Sequence, residues 1–149
     1  MTLDEVADHL AIRELIDAYA HCADRRDVEG QMSLFTPDTE FLVYMDSRSA
    51  VPAQEVRGRD GLRPVFENLN TYEATTHFNG QSTVTLAQNS AAGISYCLAH
   101  HVHVDGAGRS LMIASIRYLD HFVKMDGRWY FQQRKLMVDW IDNRPLGTG

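Results

Sequence analysis

The stretch RSLMIASIRYLDHFVKMDGRWYFQQRKLMVDW, residues 109–140, decides the fold of this chain. Both of its halves are rich in β-branched and aromatic residues, which favour strands. Asp126-Gly127 between them is a strong signal for a tight hairpin turn. The stretch therefore predicts two long antiparallel strands, at 109–125 and 128–140.

Two further strands are predicted ahead of this hairpin. Segments 74–87 and 93–104 have the same β-forming composition, and turn residues separate them from each other and from the hairpin. Four consecutive strands joined by short turns predict an antiparallel meander.

The first half of the chain has helical periodicity instead. Thr2 and Glu5 form a capping-box pattern ahead of apolar residues at helical spacing, which predicts a helix over about 3–23. The other elements expected before the meander are a short helix at 28–35, a strand at 39–45, a loop at 46–57, and a helix that starts near Gly58, is capped by Asp60 and ends near Leu69.

Helices followed by a meander predict an α+β fold, in which a curved, mostly antiparallel sheet forms a cone-shaped barrel with the N-terminal helices on its concave face. Such a cone encloses a pocket that alternate strand residues line. The length of 149 residues suits one domain, predicted to span 1–149.

The composition excludes several classes of protein. The formal charge is −6 and the basic residues are dispersed, which argues against a nucleic-acid partner. No run approaches the ~18 apolar residues of a membrane span, and the acidic N-terminus is unlike a secretory signal, so a cytoplasmic protein is expected. Cys22 and Cys97 match no metal or redox spacing and are expected to be reduced.

Motifs for covalent serine chemistry, phosphate binding and dinucleotide binding are absent from the sequence, so no cofactor is expected. What remains is acid–base chemistry by His, Asp, Tyr and Arg. The cluster His100, His101 and His103 invites a zinc site, because residues 101 and 103 share a strand face. No Asp, Glu or Cys completes a ligand set at a recognisable spacing, so no metal is expected.

Four segments, in this order, resemble the SnoaL-like family of the nuclear transport factor 2-like superfamily. They are IRELIDAYAHCADRRD (12–27), GRDGL (58–62), TTHFNG (75–80) and MDGRWYFQQRKL (125–136). The likeness is greatest to its lyase branch, which includes scytalone dehydratase, hexachlorocyclohexane dehydrochlorinase and bile-acid 7α-dehydratase. That branch shares an Asp at the end of the first helix and a His on the first meander strand, which match Asp24 and His77.

The resemblance implies that Asp24 and His77 form a general-base dyad. A neutral imidazole accepts a proton at little cost near neutral pH, and a carboxylate on its far ring nitrogen stabilises the imidazolium that forms. Such a pair suits removal of a proton next to a leaving group, which is elimination. From the residues alone, a helix-capping Asp at the surface and a hydrogen-bonded core His remain alternatives.

The resemblance implies three further catalytic residues. Arg134 matches a pocket Arg that assists the leaving group or a carbonyl, and strand alternation places it on one face with Leu136 and Val138. Tyr19 matches a catalytic Tyr of the bile-acid enzyme, and His101 falls near the second catalytic His of scytalone dehydratase. Alternatives remain open for all three. Arg134 can be a solvated strand residue, Tyr19 can pack in the core, and the strand that carries His101 can turn either face to the pocket.

The inward face of the sheet is expected to be apolar, which favours a hydrophobic ring substrate such as a steroid, terpenoid or polyketide. The residues expected to line the pocket are Phe41, Val43, Met45, Met112, Ala114, Ile116, Tyr118, Leu136 and Val138.

The expected function is that of a cofactor-independent lyase, of dehydratase or elimination type, in a homodimer or homotrimer. Isomerisation or polyketide ring closure would use the same proton-transfer groups. The alternative from another class is a noncatalytic binding or assembly module, like the small subunits of ring-hydroxylating dioxygenases. A hydrogen bond between Asp24 and His77 beside an enclosed pocket would favour the enzyme.

Overall fold

The computed structural model describes residues 1–147 and begins with the predicted long helix, α1, Leu3–Arg25. The capping box is present: the Thr2 hydroxyl accepts from the Glu5 amide at 3.1 Å, and the Glu5 carboxylate accepts from the Thr2 amide at 2.7 Å. Arg26 caps the helix with a left-handed backbone (φ 59°), and its amide donates to the Ala23 and Cys22 carbonyls. Asp24 is thereby placed in the last turn of α1.

Six strands form one sheet in the order β2-β1-β6-β5-β4-β3. All neighbours pair antiparallel except β1 and β6, which are parallel. The strands are β1 (Phe35–Tyr44), β2 (Gln54–Arg57), β3 (Ala74–Ala87), β4 (Ser90–Asp105), β5 (Gly108–Met125) and β6 (Arg128–Pro145). The α+β class is confirmed, although the curved sheet does not close, since β2 and β3 are its edges.

Bulges account for the curvature of the sheet. The register shifts between Asn79 and Ser82 in β3, and twice between β5 and β6, where Gln132 and Asp139 are the extra residues on β6. An extra residue on one strand bends it and increases its twist. The long strands therefore wrap around the long helix α1 and the shorter helices instead of lying flat.

Two predicted boundaries near the N-terminal helices are wrong. The second helix, α2, is Val28–Met32, shorter than the expected 28–35, and β1 begins at Phe35 instead of residue 39. Phe35 pairs with Phe131 of β6 and is fully buried there. Because Phe131 is distant from Phe35 in sequence, local helical propensity could not reveal this pairing.

The expected loop at 46–57 and the helix after it are also wrong in part. The last four residues of that loop form β2, an edge strand held by pairing with β1. The following segment is a 3₁₀ turn (Arg59–Leu62), a short helix α3 (Arg63–Glu67) and a second 3₁₀ turn (Asn68–Thr71). Gly58, not Asp60, precedes the first turn, and its φ of 85° suits glycine.

The core lies between α1 and the concave face of the sheet. Tyr19 makes edge-to-face contacts with Phe35, Phe66 and Phe131, at ring-centroid distances of 5.8 to 6.1 Å. Tyr19 and Phe66 of this aromatic cluster also border a cavity. Cys22 and Cys97 are both buried and unbridged. Of the helices described, none is long and apolar enough to cross a membrane.

Candidate active site

A cavity of about 460 Å³ lies between the concave face of the sheet and the helices, within the usual range of small-molecule sites. All nine residues expected to line the pocket border it. The helical side of its wall was missed, because strand alternation says nothing about helices. Those residues are Ala23, Gln31, Pro64, Val65, Phe66, Asn68 and Leu69. The apolar spacing of Leu62, Val65, Phe66 and Leu69 is the signal that could have shown which face of the predicted helix turns inward.

Asp24 and His77 meet at the border of this cavity. The Nδ1 atom of His77 lies 2.7 Å from Oδ1 of Asp24. Because a carboxylate only accepts, Nδ1 carries the proton and Nε2 keeps its lone pair. The His77 side chain is 7% exposed and that of Asp24 26%. The two residues, 53 positions apart in sequence, therefore form a hydrogen-bonded pair.

The Asp24 carboxylate is held by more than the imidazole. It also accepts from the His77 backbone amide at 2.9 Å and from the Thr75 hydroxyl at 3.0 Å. Since β3 is an edge strand, its outward amides have no strand partner, and Asp24 satisfies one of them. Arg26 donates to the Thr75 hydroxyl at 2.8 Å. Burial raises the pKa of Asp24, but the hydrogen bonds from His77 and Thr75 outweigh it and hold the pKa below its ordinary value.

His77 separates two different environments. On one side its ring borders the apolar cavity, and on the other it borders a small outer cleft that also contains Asp24. With Nδ1 bonded to Asp24, Nε2 is the ring nitrogen left for a molecule in the cavity. An imidazole hydrogen-bonded to a carboxylate thus borders an apolar chamber, where electrostatic interactions are stronger than in water.

His101 lies on the same wall, which resolves the open question about the faces of β4. Ser95, Cys97, Ala99 and His101 are buried and face inward, whereas Tyr96 and Leu98 face outward. The rings of His101 and His77 are 6.0 Å apart, and His101 Nδ1 lies 3.3 Å from the Met112 carbonyl. Burial and the nearby His77 lower the pKa of His101, so its ring is neutral at neutral pH.

Arg134 lies on the inner face of β6, as strand alternation predicts, but not at the cavity surface. Its side chain points inward but is 0% exposed and does not border the cavity. The guanidinium bonds to Asp120 at 3.0 and 3.4 Å and stacks on the rings of Tyr118 (3.5 Å) and Tyr19 (4.2 Å). These tyrosines lie between Arg134 and the cavity, so direct contact with a ligand is blocked. Burial raises the pKa of Asp120 to about 6, against the opposing charge of Arg134.

A model of the SnoaL-like domain matches residues 4–135, most of the chain. The protein belongs to the SnoaL-like domain family. An uncharacterized protein of Mycobacterium tuberculosis is 24% identical to it over 139 residues, covering 90% of this chain and 87% of that protein.

Solved structures similar to this SnoaL-like protein share its whole fold. A Novosphingobium aromaticivorans protein, provisionally named a scytalone dehydratase, superposes with a TM-score of 0.81 at 24% identity, over 99% of this chain and 95% of that one. A hexachlorocyclohexane dehydrochlorinase of Novosphingobium barchaimii gives 0.77 at 18%, over 97% and 93%. Others are provisionally named an aromatic ring hydroxylase or have no known function, so the fold does not define the reaction.

Tyr19 and Tyr118 form part of the cavity floor of this SnoaL-like protein. Their ring centroids are 5.6 Å apart, and both side chains border the cavity. Burial raises the pKa of Tyr19 to about 12, although the charge of Arg134 opposes the shift. The phenol of Tyr19 therefore keeps its proton at neutral pH, as a hydrogen-bond donor must.

The other two histidines of the 100–103 cluster lie apart from this site. His100 Nδ1 lies 3.3 Å from the Thr76 carbonyl, and the His103 side chain is exposed. Over residues 1–147, no three His, Cys, Asp or Glu side chains are grouped so that they could hold a metal ion.

Proposed function

We propose that this SnoaL-like protein is a cofactor-independent lyase of the elimination type that acts on a hydrophobic, ring-containing small molecule. The observation that carries the proposal is the position of His77, which is bonded to Asp24 through Nδ1 and borders an apolar cavity. A general base must lie within reach of the proton it removes, and its partner must stabilise the resulting charge. The position of His77 at the cavity and its bond to Asp24 support both roles.

In the proposed reaction, Nε2 of His77 takes a proton from a substrate carbon. The electron pair of that C–H bond becomes the new double bond, and the leaving group departs from the adjacent carbon with the electrons of its own bond. Asp24 stabilises the imidazolium, and the phenol of Tyr19 donates a hydrogen bond to the leaving group or to a carbonyl. His101, neutral and 6.0 Å from His77 between ring centroids, is placed to contact the same substrate.

The proposal is tested by following protons and mass together. The protein is incubated in D₂O with ring ketones of steroid, terpenoid and polyketide type, each carrying a β-hydroxyl or β-halide. We expect a product lighter by the elements of water or hydrogen halide. Deuterium incorporation without such a loss would replace elimination with isomerisation, which uses the same base. Neither change with any compound, despite binding in the cavity, would favour the noncatalytic module.

We further propose that the outer face of the sheet joins copies of this chain into a homo-oligomer. Phe78 is 67% exposed, although it pairs across the sheet with Leu98, and Tyr96 follows on the same face. Contiguous exposed apolar side chains of this kind mark interaction sites.

Sedimentation velocity tests the proposed assembly. The native chain is expected to sediment as a dimer or trimer, and Phe78→Glu is expected to shift it towards the monomer, because the charge would have to be buried. Leu10→Glu is the matched control, since Leu10 is 63% exposed on α1, away from the sheet. A monomeric native chain would disprove the assembly.

A further inference from the structure

A buried carboxamide that faces the cavity is not explained by the proposed dyad. Gln31 lies in α2, is 2% exposed and borders the cavity. Its backbone groups are bonded within the local turn, with the amide donating to the Asp27 carbonyl at 2.9 Å and the carbonyl accepting from Leu34 at 3.3 Å. Over residues 1–147 its side-chain amide has no hydrogen-bond partner, and it is not among the fully enclosed polar atoms, so it is accessible from the cavity.

The two histidines of the cavity wall differ from Gln31 in this respect. His77 is bonded to Asp24, and His101 to the Met112 carbonyl. Gln54, which also borders the cavity, is exposed at its mouth and can bond to water. A largely buried amide that has no protein partner is normally bonded to water or to a ligand instead. We therefore expect the molecule that occupies the cavity to supply the hydrogen-bond partner of Gln31.

We infer that Gln31 is a specificity-determining residue, which binds an oxygen substituent of the substrate ring. A carboxamide offers two donors and an acceptor, so it fits either a carbonyl or a hydroxyl group. The inference rests on the proposed function for the idea that the cavity holds substrate, and it narrows the substrate class to oxygenated rings. A hydrocarbon ring of the same shape would leave Gln31 unpaired and bind less tightly.

Binding of a matched pair of probes tests this inference without any turnover. 1-Tetralone and tetralin have nearly the same bicyclic shape, but only the ketone has an oxygen. By calorimetric titration we expect the native protein to prefer the ketone by about tenfold, as expected for one neutral hydrogen bond. Gln31→Leu, of similar size, should lose most of that preference while keeping its affinity for tetralin.

Two control variants show whether the preference for the ketone depends on Gln31 itself. Gln54→Leu makes the same chemical change at the exposed mouth and should keep the preference. His100→Gln, which changes a histidine that does not border the cavity, should also keep it. Because binding is measured without turnover, a failure of the proposed catalysis does not affect this test. A native protein without preference for the ketone, or a Gln31→Leu variant that retains it, would overturn the inference.

Thermal unfolding supplies a readout that needs no ligand. If the Gln31 side chain has no protein partner, Gln31→Leu should leave Tm unchanged or raise it, because an unpaired amide is replaced by an apolar group. A fall in Tm of more than about 4 °C would show that the carboxamide supports the fold, and would contradict a role reserved for the ligand.

Discussion

His77→Gln is expected to lower kcat by about 10²- to 10⁴-fold on any substrate that the native protein converts, because general-base catalysis contributes that much. Glutamine keeps the size and a hydrogen-bonding group but has no basic nitrogen. The variant should bind substrate as the native protein does, so KM should change little. The measurement is steady-state kinetics with the ketones of the elimination assay, supported by ligand titration.

Asp24→Asn should cause a loss of comparable size through a different route. The amide can no longer stabilise an imidazolium at Nδ1, and it can favour the tautomer whose proton is on Nε2. That tautomer has no lone pair facing the cavity. Circular dichroism should show an unchanged fold.

A matched histidine variant controls for the chemistry of the substitution. His100 belongs to the same strand as His101, and within residues 1–147 its ring is bonded only to the Thr76 carbonyl, through Nδ1. His100→Gln should therefore keep full activity. Full activity in both His77→Gln and Asp24→Asn would exclude the dyad, whereas equal losses in all three variants would indicate a general effect on the sheet.

Arg134→Met is expected to reduce the free energy of unfolding by about 3–5 kcal/mol, because it leaves Asp120 buried without its partner. The exposed fractions of the two side chains are 0% and 1%. For a domain of this size each kcal/mol is worth roughly 2–4 °C of Tm, so a fall of about 6–20 °C should appear in calorimetry. Replacing both residues, as Arg134→Met with Asp120→Leu, should recover much of the loss.

A second ion pair between the same two strands is the control. Arg117 of β5 and Asp139 of β6 are only 2.7 Å apart, but their side chains are 34% and 25% exposed. Arg117→Met should cost only about 0–1 kcal/mol, because water already solvates both charges. If Arg134→Met instead left stability intact and abolished ligand binding, Arg134 would have to contact the ligand directly.

The sheet shows which parts of the fold local pattern can predict. The hairpin of β5 and β6 was located correctly, since β-forming residues flank Asp126-Gly127 on both sides. The start of β1 and the whole of β2 were missed, because partners distant in sequence hold them in place. Phe35 is buried against Phe131, and Val56 pairs with Phe41. Residues 46–57 are polar, and the last four of them are extended because they pair with β1.

The candidate site also has features that local pattern predicts and features that it does not. Period-two alternation was enough to assign the apolar wall on β1, β5 and β6, because successive strand side chains point to opposite faces. It also placed Arg134 on the inner face correctly. Alternation could not show that Tyr19 and Tyr118 cover the guanidinium, since Tyr19 comes from a helix more than a hundred residues earlier.

The sequence by itself determined the helix-then-meander order, the residues of the apolar wall and, through family resemblance, the pairing of Asp24 with His77. Only the tertiary structure decided which face of β4 borders the cavity, that Arg134 lies beneath its floor, and that Gln31 faces it without a partner. The reason is physical. Periodicity and turn chemistry act between neighbours in the chain, whereas burial and hydrogen-bond partnership depend on what the curved sheet and the helices bring together.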